Sequence, residues 1–188
     1  MTTEPIEENP AQDHSEIAKS LVVVNTGDGK GKSSAAFGVM VRGLAMDWPV
    51  AVVQFIKSGE WHVGEEKIGR RLGVDWFNQG DGFTWDSDDI ENDKALAQKG
   101  WEQAADLIAT DEHRLIILDE LTYLINWGWI DPEPVYEAIR NRPEKVNIVV
   151  TGRDAPEGLI EVADTVTEMA KVKHAFDRGI LAKKGIDY

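Results

Sequence analysis

An apolar run that ends in a glycine-rich turn does most to limit what this chain can become. Leu21–Asn25 opens with four consecutive apolar residues and reads as a strand buried on both faces. TGDGKGKSS, residues 26–34, follows at once. From Lys32 to Met46 the apolar residues Ala35, Ala36, Val39, Met40, Gly43 and Leu44 recur at helical spacing. Strand, glycine-rich turn and helix together are the context of a phosphate cradle. The glycines let backbone N–H groups converge on phosphate oxygens, and the helix start adds the positive end of its dipole. Gly27, Asp28, Gly29, Lys30, Gly31, Lys32, Ser33 and Ser34 are therefore expected to surround nucleotide phosphates. Lys32 carries charge to the far phosphates, and the Ser33 hydroxyl is a ligand for magnesium. Two residues depart from the usual pattern. Thr26 stands where a glycine is common, so one residue fewer can take a positive φ. Asp28 puts a carboxylate beside the phosphates, where Lys30 either neutralises it or points outward.

The rest of the chain alternates strands and helices. Val50–Ile56, Val74–Asn78, Arg114–Asp119, Val146–Thr151 and Ala163–Met169 read as further strands. Asp88–Ala109 (capped by Ser87 or Asp88), Pro132–Arg140 and Pro156–Val162 read as helices. Solid apolar strands between helices imply an α/β fold: a mostly parallel sheet with helices on both faces, of the P-loop, RecA-like kind. Ligands of such sheets bind at the carboxyl ends of the strands. Residues 1–19 read as a flexible acidic arm, and 20–188 as the nucleotide-binding domain.

Charge and composition narrow the partners. A net charge of −14 opposes a nucleic-acid role, because phosphate backbones need a basic footprint. With no cysteine there is neither a disulfide nor thiolate chemistry. No apolar run approaches the ~20 residues that span a bilayer. The polar start MTTEPIEENPAQDHSE is neither a secretory signal nor a transit peptide, which predicts a cytoplasmic protein with no membrane partner.

RLIILDE, residues 114–120, ends a buried strand in two carboxylates, Asp119 and Glu120. One binds magnesium directly or through water and the other orients it; the sequence leaves open which does which. Arg153, just past VNIVVTG, is in place to reach a phosphate. A GTPase base-reading segment is missing, as is a serine–histidine–aspartate arrangement. The chemistry therefore suits a second substrate that brings its own nucleophile. Phe83 and Trp85 alternate in GDGFTWD, poor material for a core strand. They read either as packing for a loop or as an apolar wall for a large flat ligand. Trp127 and Trp129, in INWGWI, read either as part of another such wall or as packing, with packing favoured.

These residues together resemble the ATP:corrinoid adenosyltransferases of the CobA/BtuR/CobO type. The likeness runs from about Leu21 to Tyr188 and rests on TGDGKGKSSAAFG, VVQFIK, GFTWD, ILDELTYL, VTGR with ADTVTEM, and VKHAFDRGILAKKGIDY. The resemblance implies transfer of the 5′-deoxyadenosyl group of ATP to cobalt(I) of a corrinoid, with release of triphosphate. Cobalt arrives with the substrate, so it needs no protein ligand. The resemblance further implies that ATP lies reversed along the loop relative to ordinary NTPases. Lys32, Phe83 and Trp85 are then the catalytic residues, the aromatic pair displacing the corrinoid's lower axial ligand. Arg153 binds polyphosphate or nucleotide, and Ser33, Glu120 and Asp119 hold magnesium. The implied partners are a flavodoxin-like or other reductant and a second copy of the chain in a homodimer. The chain departs from its relatives at Asp28, often Asn in them, at Ser33, often Thr, and in its acidic arm, often a more basic helix.

A small P-loop kinase or ATPase is the competing reading. It would attack the γ-phosphate and leaves VKHAFD, GIDY and GFTWD without a purpose. A carrier that binds both ligands without turnover is a third.

Overall fold

The computed structural model describes residues 17–58, 64–80 and 90–187. Six strands are described: β1 (Val22–Thr26), β2 (Val50–Ser58), β3 (Asp75–Gly80), β4 (Leu115–Asp119), β5 (Asn147–Thr151) and β6 (Thr165–Glu168). All their pairings are parallel, in the order β3-β2-β4-β5-β1-β6. The helices are α1 (Lys32–Leu44), α2 (Gly64–Arg71), α3 (Ile90–Ala109), α4 (Leu121–Asn126), α5 (Pro132–Arg140) and α6 (Glu157–Glu161). The expected α/β architecture is the observed one.

Strand side chains alternate between two apolar layers, as a period of two requires. Val50, Val52, Leu115, Ile117 and Val149 face one layer with Ala36, Phe37 and Met40 of α1. Ala51, Val53, Ile116, Leu118, Ile148 and Val150 face the other, with α3, α4, α5 and α6. The four apolar residues of β4 are fully buried, which is why this strand shows no polar alternation. The edge strand β6 is exposed along its length and pairs only with β1.

Two helices are absent from the sequence reading. Apart from Ile68, α2 (GEEKIGRR) offers no apolar side chain to mark a buried face, and Ile68 is half exposed. It is seated instead by Gly69, whose missing Cβ would lie 2.9 Å from the Trp76 ring, and by Glu66, which accepts from Asn78. The other, α4, is hidden inside the run ILDELTYLIN. Glu120 separates strand from helix there by taking φ 65°, an unusual conformation for a residue with a Cβ. At α3, described residues begin at Ile90, so the proposed Ser87 or Asp88 cap lies outside them. The helix α5 starts as expected, with Asp131 capping the Glu133 N–H and Pro132 at the first position. The Trp127 ring lies against Trp129 at 4.7 Å and against Tyr123 at 5.1 Å, both pairs tilted, with Trp127 still partly exposed.

With β5 lying between β1 and β4, the carboxyl ends of these three strands form one rim. The glycine-rich turn, the Asp119-Glu120 pair and Arg153 all leave the sheet along that rim.

Candidate functional site

At the base of the glycine-rich turn, Thr26 has a task that glycine could not perform. Its hydroxyl accepts a hydrogen bond from the Ala155 N–H at 3.0 Å, tying the turn to the segment after β5. Positive φ values belong to Gly27 (93°) and Gly31 (117°), so the turn is made without a glycine at 26. Thr26→Ala is expected to lower stability by about 1 kcal/mol, because it strands a partly buried N–H. Thr26→Ser should keep most of that stability. Urea unfolding of the two variants checks it.

The turn is roofed by the chain that follows β6. Gly29 N–H donates to the Met169 carbonyl at 2.5 Å, and Met169 N–H donates back to the Thr26 carbonyl at 2.8 Å. Lys30 is ion-paired with Asp187 near the end of the chain. Asp187 also accepts from the Lys183 N–H at 2.7 Å, and these two donors hold its carboxyl below the usual range. Lys30 therefore does not neutralise Asp28. Asp28 faces Arg153 instead, at 3.7 Å.

Lys32 opens α1 with its ammonium folded back into the turn. Nζ donates to the Gly27 carbonyl at 2.7 Å and to the Gly29 carbonyl at 2.8 Å. Burial lowers its pKa, and Arg153 acts in the same direction. Glu120, Asp28 and Asp119 pull the other way.

The two carboxylates at the end of β4 differ in kind. Asp119 is fully buried. One oxygen accepts from the Thr151 hydroxyl at 2.8 Å, the other from the Gln54 amide at 2.9 Å. Gln54 in turn accepts from the Trp76 indole N–H at 3.0 Å, so the carboxylate is held by a chain of side chains crossing β5, β4, β2 and β3. Glu120, turned out by its positive φ, lines the cleft over the loop. Its N–H donates to Thr151 Oγ1 at 3.0 Å, which fixes the turn.

Asp28, Gly29, Lys30, Gly31, Lys32, Ser33, Ser34, Glu120 and Arg153 line a single cleft. Gly27 sits at its base as an acceptor for Lys32, and Asp119 lies buried behind it. Phe83 and Trp85 lie outside the described residues. Four cleft residues escaped the sequence reading: Phe37, Glu65, His174 and Asp187. Phe37 reads as core from its helical position, and Glu65 sits in the helix that was missed. His174 and Asp187 belong to VKHAFD and GIDY, segments marked as unusual but given no task.

Comparison with known proteins identifies relatives along nearly the whole chain. The family described as ATP:corrinoid adenosyltransferase BtuR/CobO/CobP matches residues 18–188. A corrinoid adenosyltransferase of Pseudomonas aeruginosa is 44% identical over 185 residues, covering 97% of this chain and 90% of that protein. A corrinoid adenosyltransferase of Escherichia coli K12 is 40% identical over 170 residues, covering 90% and 86%. Corrinoid adenosyltransferase CobA of Salmonella typhimurium is 38% identical over the same coverage.

Proposed function

The chain belongs to the ATP:corrinoid adenosyltransferase family, and on that premise we propose that it joins the 5′-deoxyadenosyl group of ATP to cobalt(I) of a corrinoid and releases triphosphate. The carrying observation is the convergence of the glycine-rich turn, Lys32, Glu120 and Arg153 on one cleft. Cobalt(I) supplies the electron pair. The cobalt–carbon bond forms as the bond from the 5′ carbon to oxygen breaks, and triphosphate leaves with that bond's pair. Cobalt ends two electrons poorer, as cobalt(III). No proton leaves the nucleophile, so the step needs no general base.

What the protein supplies is a fixed field for the leaving triphosphate. Residues 28–34 of the turn and the start of α1 already line the cleft, so little rearrangement accompanies the charge that develops there. Lys32 exchanges its two carbonyl acceptors for phosphate oxygens. Arg153 adds a second cation beside the turn.

The residues also fit a magnesium ion. Among the described residues no group of three or more carboxylates or histidines could hold a metal by itself. Magnesium asks for less, since it is bound through one or two carboxylates, retained waters and the substrate's own phosphates. Ser33 and Glu120, both lining the cleft, would hold it. Asp119 keeps both oxygens on Thr151 and Gln54 and would orient the site from behind. When bound, the ion would offset charge on the triphosphate.

The same proposal sets Phe83 and Trp85 against the corrinoid, takes electrons from a flavodoxin-like or other reductant, and pairs two copies whose residues 1–19 help close the site in the cytoplasm. Among the described residues no helix is long and apolar enough to cross a membrane.

Lys32 gives the reaction a pH signature. Its pKa in the folded chain lies below the ordinary 10.5, chiefly through burial. The folded chain thus binds fewer protons than the unfolded one between that lowered pKa and 10.5, and this lysine makes stability rise with pH across the window. Anion binding needs the charged form, so affinity for magnesium triphosphate should fall as pH climbs through the lowered pKa. Titration calorimetry between about pH 7 and 10 checks it, with proton uptake on binding at the alkaline end. The function itself is tested by anaerobic incubation with magnesium, ATP and chemically reduced cobalamin. Adenosylcobalamin is expected, and its absence would remove the reading.

A further inference from the structure

His174 lines the phosphate cleft from the tail that follows β6, a segment for which a generic nucleotide-binding protein has no need. Its surroundings decide what it can do there. The Phe176 N–H donates to His174 Nδ1 at 3.1 Å. A ring nitrogen that accepts a hydrogen bond carries no proton, so in the neutral imidazole the proton sits on Nε2. No acceptor among the described residues is in hydrogen-bond contact with that Nε2–H. The ring is thus a prepared donor in a cleft whose cations are already engaged. Lys30 is paired with Asp187, Lys32 with two carbonyls, and Arg153 faces Asp28.

We propose that His174 is a further substrate-binding residue, whose Nε2–H donates to a phosphate oxygen of ATP and of the triphosphate product. The proposal rests on the adenosyl-transfer reading of this cleft and adds a residue to it. A further N–H donor suits the place. Asp28, Glu65, Glu120 and Asp187 already crowd this cleft with negative charge. The Nε2–H adds a hydrogen bond to an anion there. It also recruits the tail to the nucleotide, and so gives VKHAFD a task.

Two substitutions separate this role from a structural one. Gln places an amide N–H₂ near the position of Nε2, whereas Asn places its carbonyl oxygen near that of Nδ1. Binding of inorganic triphosphate with magnesium is measured by calorimetry on the full chain, with circular dichroism to establish folding. His174→Ala should weaken binding by about tenfold or more, as expected for a hydrogen bond to a charged group. His174→Gln should restore most of the affinity, and His174→Asn should not. If Asn restores binding and Gln does not, the histidine merely holds the tail through the Phe176 N–H and the proposal fails. It fails equally if all three variants bind like the native protein. If the native protein itself does not bind triphosphate, the reading of the cleft falls, and this inference with it.

Discussion

Replacing Lys32 with Ala is expected to slow adenosyl transfer by about 10²–10³-fold, the scale on which a single preorganised donor to a developing oxyanion acts. The geometry makes this loss specific. Nζ is held 2.7 and 2.8 Å from two carbonyls of the turn it serves, so the cation waits in the cradle before substrate arrives. Burial already disfavours the charged ammonium, as its lowered pKa records. Removing it should therefore cost the fold little, with the melting temperature moving by no more than about 3 °C, equivalent to roughly 1 kcal/mol in a chain this size. Lys32→Arg keeps the charge, but its planar fork does not reproduce the compact ammonium held between two loop carbonyls, so it should recover only a small part of the rate. Single-turnover formation of adenosylcobalamin, alongside a thermal melt, reads both halves. An inactive, unfolded Lys32→Ala protein would contradict this account of the residue.

Gly152→Ala should be among the most damaging single-methyl changes at the described glycines. Gly152 closes β5 with φ 145°, a conformation that residues with a Cβ rarely take. An added Cβ would lie 1.9 Å from the Thr122 hydroxyl oxygen and 2.9 Å from the Thr122 Cβ. That hydroxyl donates to the Arg153 carbonyl at 2.7 Å and so sets where Arg153 leaves the sheet. The substitution thus adds backbone strain, breaks a part-buried hydrogen bond and displaces a cation of the cleft. Together these should cost about 3–5 kcal/mol of stability. Adding Thr122→Ala removes the oxygen but not the φ strain, so the double variant should regain part of the loss. A double-mutant cycle in urea measures the coupling, which should be 1 kcal/mol or more in favour of the pair.

Much of the sheet is legible in sequence because its strands are buried on both faces and so read as solid apolar runs; β1, β2, β4 and β5 match their expected spans to within about two residues. The strand order is not legible, since it depends on which neighbours pair across the sheet. The helices that escaped notice lack the signal that sequence reading relies on. In α2 the buried face is made by a glycine and a buried glutamate rather than by apolar side chains. In α4 the six residues sit inside an apolar run whose break is a single left-handed Glu120. The same division holds for the site. Gly27 to Ser34 could be read because their spacing is itself the chemistry. The split between Asp119 and Glu120 could not, because it depends on Gln54 and Thr151, distant in the chain and adjacent only in the sheet. Thr26 reads only as a departure from the usual glycine, since its partner Ala155 lies 129 positions away. His174 and Asp187 reach the cleft only because the tail returns over the loop, a path that no local pattern encodes.

The most direct test of the central claim is to identify the phosphate product of the anaerobic reaction with magnesium, ATP and reduced cobalamin. Attack at the 5′ carbon predicts intact triphosphate in equal amount to adenosylcobalamin, with no ADP. Attack at phosphorus would instead yield ADP and free phosphate, or a phosphorylated acceptor, with no cobalt–carbon bond. That result would contradict the account and leave the cleft as the site of an ordinary kinase or ATPase.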